Sequence, residues 1–155
     1  MIRILFDDQG DSHHDIFFKV DASPTFIQVA DLYFIGDFLS PRLRDEVTKK
    51  EIMIEFINYV KSRIQNSSVT ETLIPIDLSD QYVGGLLVTR KLNDIVKVKY
   101  GFTQKIYGFQ IGVDHVDKIM IDEKPEFEIE REWIISISEI EKGLNWSIER
   151  IQNVA

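Results

Sequence analysis

The sequence predicts an α+β fold, in which a mostly antiparallel sheet or meander carries two amphipathic helices packed on one face. Two segments place apolar residues at helical spacing behind a capping box. Between and before them, short β-prone segments follow one another with only polar turns in between, which favours a meander. The 155 residues contain no repeat, low-complexity tract or linker, so residues 1–155 are assigned to a single domain.

The first helix is predicted over residues 49–65. Thr48 and Glu51 have the spacing of a capping box. Behind them the apolar residues recur every three or four positions, as Ile52, Met53, Phe56, Ile57, Val60 and Ile64. This spacing is typical of a stripe that faces a core.

The second helix is predicted over residues 139–153. Its stripe consists of Ile137, Ile140, Leu144, Ile148 and Ile151. Two capping boxes compete for its start, Ser138 with Glu141 and Ser136 with Glu139. Gly143 lies inside this helix and weakens it slightly.

The strands are predicted from β-prone runs bounded by turn formers. Gly84 and Gly85 indicate a bulge or a close approach of backbone, and Asn93 with Asp94 indicates a hairpin turn. Residues 26–39 are apolar but not cleanly periodic, so a bent strand or two short strands are expected there. The other predicted strands cover residues 2–6, 15–21, 72–78, 83–90, 94–100, 106–111 and 118–121.

The most distinctive segment is residues 126–133, where every even position is a glutamate. In a strand, alternate side chains point to opposite faces. One face would then bury Phe127, Ile129 and Trp133. The other would present four carboxylates in line, those of Glu126, Glu128, Glu130 and Glu132, with Asp122 and Glu123 just upstream.

Composition restricts the classes of partner. The chain has 26 acidic and 18 basic residues and a net charge of −8, which repels phosphates and disfavours nucleic-acid binding. A basic protein is attracted instead. The chain has no cysteine, which excludes disulfides and thiolate zinc sites and fits a reducing cytoplasm. Neither a signal peptide nor a membrane span is evident, so a cytoplasmic protein is expected, of open oligomeric state.

No catalytic template is recognisable. The Gly84–Gly85 pair is followed by neither a lysine–serine pair nor a helix, so it is not a phosphate loop. A Gly-x-Ser-x-Gly elbow is absent, and 26 acidic residues make any chosen carboxylate pair uninformative. We therefore assign no catalytic residue and no cofactor, and we do not predict an enzyme.

Two groups of aspartates and histidines leave a cation site open as an alternative. One consists of Asp7, Asp8, Asp11, His13, His14 and Asp15, and the other of Asp114, His115 and Asp117. Carboxylates and imidazoles are metal ligands. The first spacing fits no EF-hand loop, however, and consecutive histidines on a strand point apart. Solvated turns are the favoured interpretation, and no metal ligand is assigned.

The glutamate row also has two interpretations. It is either a solvated strand face matched to Lys97, Lys99 or Lys105, at about 0.2–1 kcal/mol per pair, or a docking surface for a basic protein. We take the docking surface as the hypothesis, with Glu126, Glu128, Glu130, Glu132, Asp122 and Glu123 as partner contacts.

The segment from Trp133 through Trp146 to Ile148 consists of a strand, a serine cap and an amphipathic helix. It resembles the closing segment of several immunity proteins that bacteria make against toxins delivered by neighbouring cells. The resemblance implies an inhibitor that binds a toxin domain, often blocking a nuclease site. The expected function is therefore neutralisation of a basic toxin domain, of the nuclease kind, through an acidic surface. Alternatives are a small enzyme, a ligand-binding α+β domain, or a subunit that buries residues 26–39 against its own copy.

Overall fold

Two antiparallel sheets share one hydrophobic core in the computed structural model, which describes residues 1–7, 14–39 and 47–153. The predicted α+β class is confirmed, but two sheets are present where one was expected. Their strand orders are β1-β2-β3 and β4-β5-β6-β7. In chain order the elements are β1 (Ile2–Phe6), β2 (Ile16–Val20), β3 (Ile27–Ala30), α1 (Leu32–Leu39), α2 (Lys49–Gln65), β4 (Thr72–Leu78), β5 (Val83–Leu92), β6 (Ile95–Thr103), a 3-10 turn (Gly108–Gln110), α3 (Val116–Glu123), β7 (Glu128–Ser136) and α4 (Ile137–Asn153).

The two predicted helices are confirmed, together with the way they begin. The Thr48 hydroxyl accepts a hydrogen bond from the Glu51 amide at 3.2 Å, and the Glu51 carboxylate accepts one from the Thr48 amide at 2.8 Å. At the start of α4 the earlier capping residue is used, because the Ser136 hydroxyl accepts from the Glu139 amide. The Ser138 hydroxyl instead donates to Asp94.

Residues 26–39 form a strand followed by a helix, so the prediction of strand throughout is wrong for the second half. The Asp31 carboxylate accepts from the Tyr33 amide, and the Asp15 carboxylate accepts from the Leu32 amide, each at 2.9 Å. These bonds satisfy amides that a helix start leaves without partners. Ile35 and Phe38 are buried in the core of this chain, so a second copy is not required to cover them.

Two other predicted strands are also wrong. Residues 106–111 contain the 3-10 turn, and residues 118–121 lie inside α3. Val116 is buried, and Ile119 and Met120 pack partly buried against the core. Their i, i+3, i+4 spacing fits one face of a helix rather than a strand. None of the helices in the described part of the chain is long and apolar enough to cross a membrane.

An aromatic cluster joins the two sheets. The Tyr100 ring on β6 stacks on Phe18 of β2 at 6.2 Å between centroids and meets Phe26 edge-on at 5.3 Å. Phe26 in turn contacts Trp133 of β7 at 5.2 Å. The Trp133 indole donates a hydrogen bond to Ser23 at 2.8 Å, which satisfies its polar edge.

Helix α4 covers the free edge of β1 and packs on α2, instead of lying with α2 on the face of one sheet. The buried Ser147 hydroxyl accepts a hydrogen bond from the Ile4 amide and donates one to the Gly143 carbonyl, both at 2.9 Å. Gly143 has no side chain, and the Ile2 backbone occupies the space where its Cβ would lie. This close approach blocks an edge that could otherwise pair with another strand.

Candidate functional site

The glutamate row does not form one line. Strand β7 begins at Glu128, so Glu126 precedes it. In the pairing with β6, Arg131 lies opposite Tyr100 and Ile129 lies opposite Gly101, which leaves Glu130 as an extra residue in a bulge. The prediction of four carboxylates on one face is therefore wrong, because an extra residue reverses the alternation of faces.

The bulge sends the carboxylates to different sides of the sheet. Residues directly opposite each other in an antiparallel pair share a face. Glu132 pairs with Lys99, whereas Glu128 pairs with Phe102, on the face of the neighbouring Tyr100. Glu132 consequently lies on the lysine face, and Glu128 lies on the face that meets the three-stranded sheet.

Two of the six predicted contact residues have a cation within this chain. Glu132 lies 2.9 Å from the ammonium of Lys97, as in the solvated-face interpretation, and Asp122 lies 2.8 Å from that of Lys118. Glu126, Glu128 and Glu130 are exposed and have no salt bridge within residues 1–7, 14–39 and 47–153. Glu123 is likewise exposed and unpaired there, at the end of α3.

The three unpaired glutamates of the row line two neighbouring cavities that share Phe102 and Gln104. The inner cavity, of about 240 Å³, is lined by Gln28, Asp77, Tyr82, Tyr100, Phe102, Gln104 and Glu130. The outer cavity, of about 280 Å³, is lined by Phe102, Thr103, Gln104, Lys105, Glu126, Phe127 and Glu128. We call the two together the acidic cleft. Among the residues that the structure describes, its lining has four carboxyl groups and one ammonium, that of Lys105.

Asp77 is the buried carboxyl group of the cleft, with 5% of the residue exposed. Strand β4 has a bulge between the pairs Pro75–Gly85 and Asp77–Gly84. This bulge sets Asp77 opposite Gly84 of β5. A Cβ on Gly84 would lie 2.9 Å from the Tyr100 hydroxyl and 3.3 Å from the Asp77 Cβ. The predicted close approach at this glycine pair is confirmed, and the two residues that a Gly84 Cβ would meet, Asp77 and Tyr100, both line the inner cavity.

Two donors hold the Asp77 carboxylate. The Tyr82 hydroxyl and the Gln28 side-chain amide each donate to its Oδ2 at 2.9 Å. Burial nevertheless raises the pKa of Asp77, and the charges of Asp31 and Glu130 act in the same direction. Burial and the Asp77 charge raise the pKa of Tyr82 to about 12, so Tyr82 stays a donor at neutral pH. The two hydrogen bonds therefore hold the carboxylate in place, although burial makes its ionised form less favourable.

We expect Asp77→Asn to make the protein more stable at neutral pH, by about 1 kcal/mol, as replacements at functional sites often do. Asparagine can still accept from Tyr82 and Gln28 but carries no charge to desolvate. The pKa of Asp77 is raised on folding, so the wild type loses stability as pH rises from the unfolded pKa through the folded one. Below that pH window residue 77 is neutral in both the wild type and the variant, so the difference in stability disappears. Urea unfolding at a pH below the window and at neutral pH measures this difference.

Glu149→Gln removes the same charge from an exposed position on α4 and serves as the control. It should change the free energy of unfolding by less than about 0.5 kcal/mol at either pH. A destabilised Asp77→Asn protein at neutral pH would instead identify Asp77 as a structural residue.

Sequence reasoning missed Asp77, although a signal was present. The segment 72–78 is apolar except for Thr72 and this aspartate. A carboxylate inside an otherwise buried strand is more informative than any exposed one, because it needs partners and costs free energy.

The aspartate–histidine groups do not form a site in the described part of the chain. Asp8, Asp11 and His13 lie outside the described residues, and Asp15 accepts from the Leu32 amide. Asp117 accepts two hydrogen bonds from the Arg63 guanidinium, at 2.8 and 2.9 Å, which lowers its pKa. No three His, Asp or Glu side chains converge as metal ligands among residues 1–7, 14–39 and 47–153.

The chain matches no family model, and no curated protein or solved structure is significantly similar to it. Function is therefore inferred from the side chains of the cleft. A concave surface with an excess of carboxylates, aromatic walls and a buried anion is suited to holding cationic groups.

Proposed function

We propose that this chain is an inhibitor of the immunity type, which binds a basic toxin domain, of the nuclease kind, through the acidic cleft. The observation that carries the proposal is that Glu126, Glu128 and Glu130 line the cleft without an ion pair in the described residues. Carboxylates that are not neutralised internally remain available to an external cation.

The charge of the whole chain supports a macromolecular partner. A net charge of −8 attracts a basic protein over distances comparable with the Debye length, about 8 Å at physiological salt. A nuclease holds nucleic acid in a groove rich in Lys and Arg. A surface of carboxylates that entered such a groove would compete with the substrate, so inhibition would follow from occlusion without chemistry.

Binding of a free small molecule is the second candidate, and the buried Asp77 is the observation that favours it. A cavity with one buried charged group and aromatic walls is typical of ligand sites. The inner cavity, at about 240 Å³, is smaller than the roughly 300–1,000 Å³ usual for such pockets. It fits one side chain of a protein better than a whole metabolite.

The partner is sought first as the product of a gene adjoining the one that encodes this chain. Its affinity is then measured by calorimetry for the wild type and for the triple variant Glu126→Gln/Glu128→Gln/Glu130→Gln. We expect a loss of about 10- to 100-fold, because three uncompensated charges are removed from the interface. The dependence of affinity on salt should weaken in parallel.

A triple variant with the same change of net charge provides the control. Glu55→Gln/Asp114→Asn/Glu149→Gln removes three exposed carboxylates away from the cleft, and we expect affinity within about threefold of wild type. Equal losses of affinity in the two triple variants would mean that only the net charge of the chain matters, and not the position of the carboxylates in the cleft. No loss in the first, with a genuine partner in hand, would refute the proposal.

A further inference from the structure

We propose that the inner cavity is a socket for the guanidinium group of an arginine side chain supplied by the partner protein. The presence of a protein partner rests on the proposed function, whereas the chemistry of the socket is argued from the cavity alone. Asp77 is the buried carboxyl group of its lining, and Glu130 is the second carboxylate.

The hydrogen bonds already made in the cavity leave mainly acceptors. The Tyr82 hydroxyl donates its hydrogen bond to Asp77. Gln28 uses its amide group on Asp77 and on the Val29 carbonyl, at 2.9 and 3.3 Å. The Gln28 side-chain carbonyl, the Tyr82 oxygen and the two carboxylates therefore remain as acceptors for a ligand. The Tyr100 hydroxyl and the Gln104 side-chain amide, which also belong to the lining, can each donate or accept. A group that carries donors and no acceptor is the complement, and guanidinium has five N–H donors.

One oxygen of Asp77 has no partner. Both hydrogen bonds go to Oδ2, and Oδ1 accepts none from the part of the chain that the structure describes. Oδ1 is not fully enclosed, and Asp77 is one of the residues that line the inner cavity. Asp77 is only 5% exposed, and a charge-assisted hydrogen bond to this oxygen would offset part of the cost of burying the carboxylate.

The walls distinguish guanidinium from other cations. Half-buried Phe102 lines the cavity beside the largely buried Tyr100, and a planar guanidinium stacks on an aromatic ring while it donates within its own plane. An ammonium offers a point charge and fills less of about 240 Å³. A hard divalent cation is less suited, because no three Asp, Glu or His side chains of the described residues converge here as metal ligands.

The test needs no partner protein. Nα-acetyl-arginine amide is titrated into the isolated chain and followed by heteronuclear NMR, with the citrulline and lysine amides as matched probes. Citrulline has the shape of arginine without its charge. We expect the arginine probe to bind at least about tenfold more tightly than either, with shifts at Gln28 and Tyr82. Asp77→Asn and Glu130→Gln should each weaken it by about tenfold, and Glu149→Gln should leave it unchanged.

Each outcome separates the socket from the proposed function. Equal binding of arginine and citrulline, or arginine binding that survives both cavity variants, would overturn the socket even if a basic partner binds the chain. Conversely, arginine binding that depends on Asp77, in a chain whose partner affinity ignores the cleft glutamates, would support the socket and refute the proposed inhibitor.

Discussion

Gly143→Ala should destabilise the protein by about 3 kcal/mol or more, near the upper end of the cost of overpacking a core. A Cβ at this position of α4 would overlap the carbonyl oxygen of Ile2 and lie 2.9 Å from its carbonyl carbon. These atoms belong to the backbone of β1, which is fixed by its pairing with β2. Neither element can move without loss of the contact that covers the edge of β1.

The sign of this effect makes the test decisive. In an exposed helix, replacing glycine with alanine stabilises by about 1 kcal/mol, the opposite of what we expect here. Urea unfolding gives the change directly, and the melting temperature should fall by about 6–12 °C for 3 kcal/mol. Glu149→Ala, on the exposed side of the same helix, should stay within about 0.5 kcal/mol. A Gly143→Ala protein as stable as wild type would mean that α4 does not contact β1 this closely.

Elements that depend on local sequence could be predicted. Helix α2 has the predicted limits and the predicted capping box, because both are set by residues within one turn of each other. The turn at Asn93 is also local: it joins β5 to β6, with the positive φ of 49° that asparagine tolerates. The pattern of α4 was clear for the same reason.

Features that depend on distant residues could not be predicted. The start of α1 is stabilised by the carboxylate of Asp15, which lies on another element. The apolar run 26–39 therefore looked like strand throughout. Gly143 appeared as a weak point of a helix, because nothing near it in sequence indicates the approach of Ile2.

The candidate site failed as a prediction at one residue. Alternation in the segment 126–133 is real, but a bulge inserts Glu130 as an extra residue between the pairs Ile129–Gly101 and Arg131–Tyr100. The residue of β6 next to the bulge is Gly101, which has no side chain. The sequence therefore offers no pair of side chains at this point from which the register of the two strands could be predicted. The bulge turned a row of four carboxylates into a cleft with Asp77, which a strand pattern cannot show. The prediction of acidic partner contacts stays a prediction, now restricted to the carboxylates without internal cations.

Tyr100→Ala should cost about 4 kcal/mol, as for other large aromatic residues truncated in a core. Tyr100 is 2% exposed and contacts both Phe18 and Phe26, so its ring belongs to the joint between the two sheets. The same ring is a wall of the inner cavity. A binding site whose wall is part of the core is rigid, which keeps the entropy cost of binding low.

Tyr100→Phe separates the two roles of this residue. Its ring keeps the core contacts, and its hydroxyl lies at the cavity, so we expect a loss below about 1 kcal/mol. Both variants should unfold in one cooperative transition, as the prediction of a single domain requires. If Tyr100→Ala instead cost no more than the phenylalanine variant, the Tyr100 ring would not contribute to the joint between the sheets. The wall of the inner cavity would then lack the support of the core, and a preformed socket would lose its physical basis.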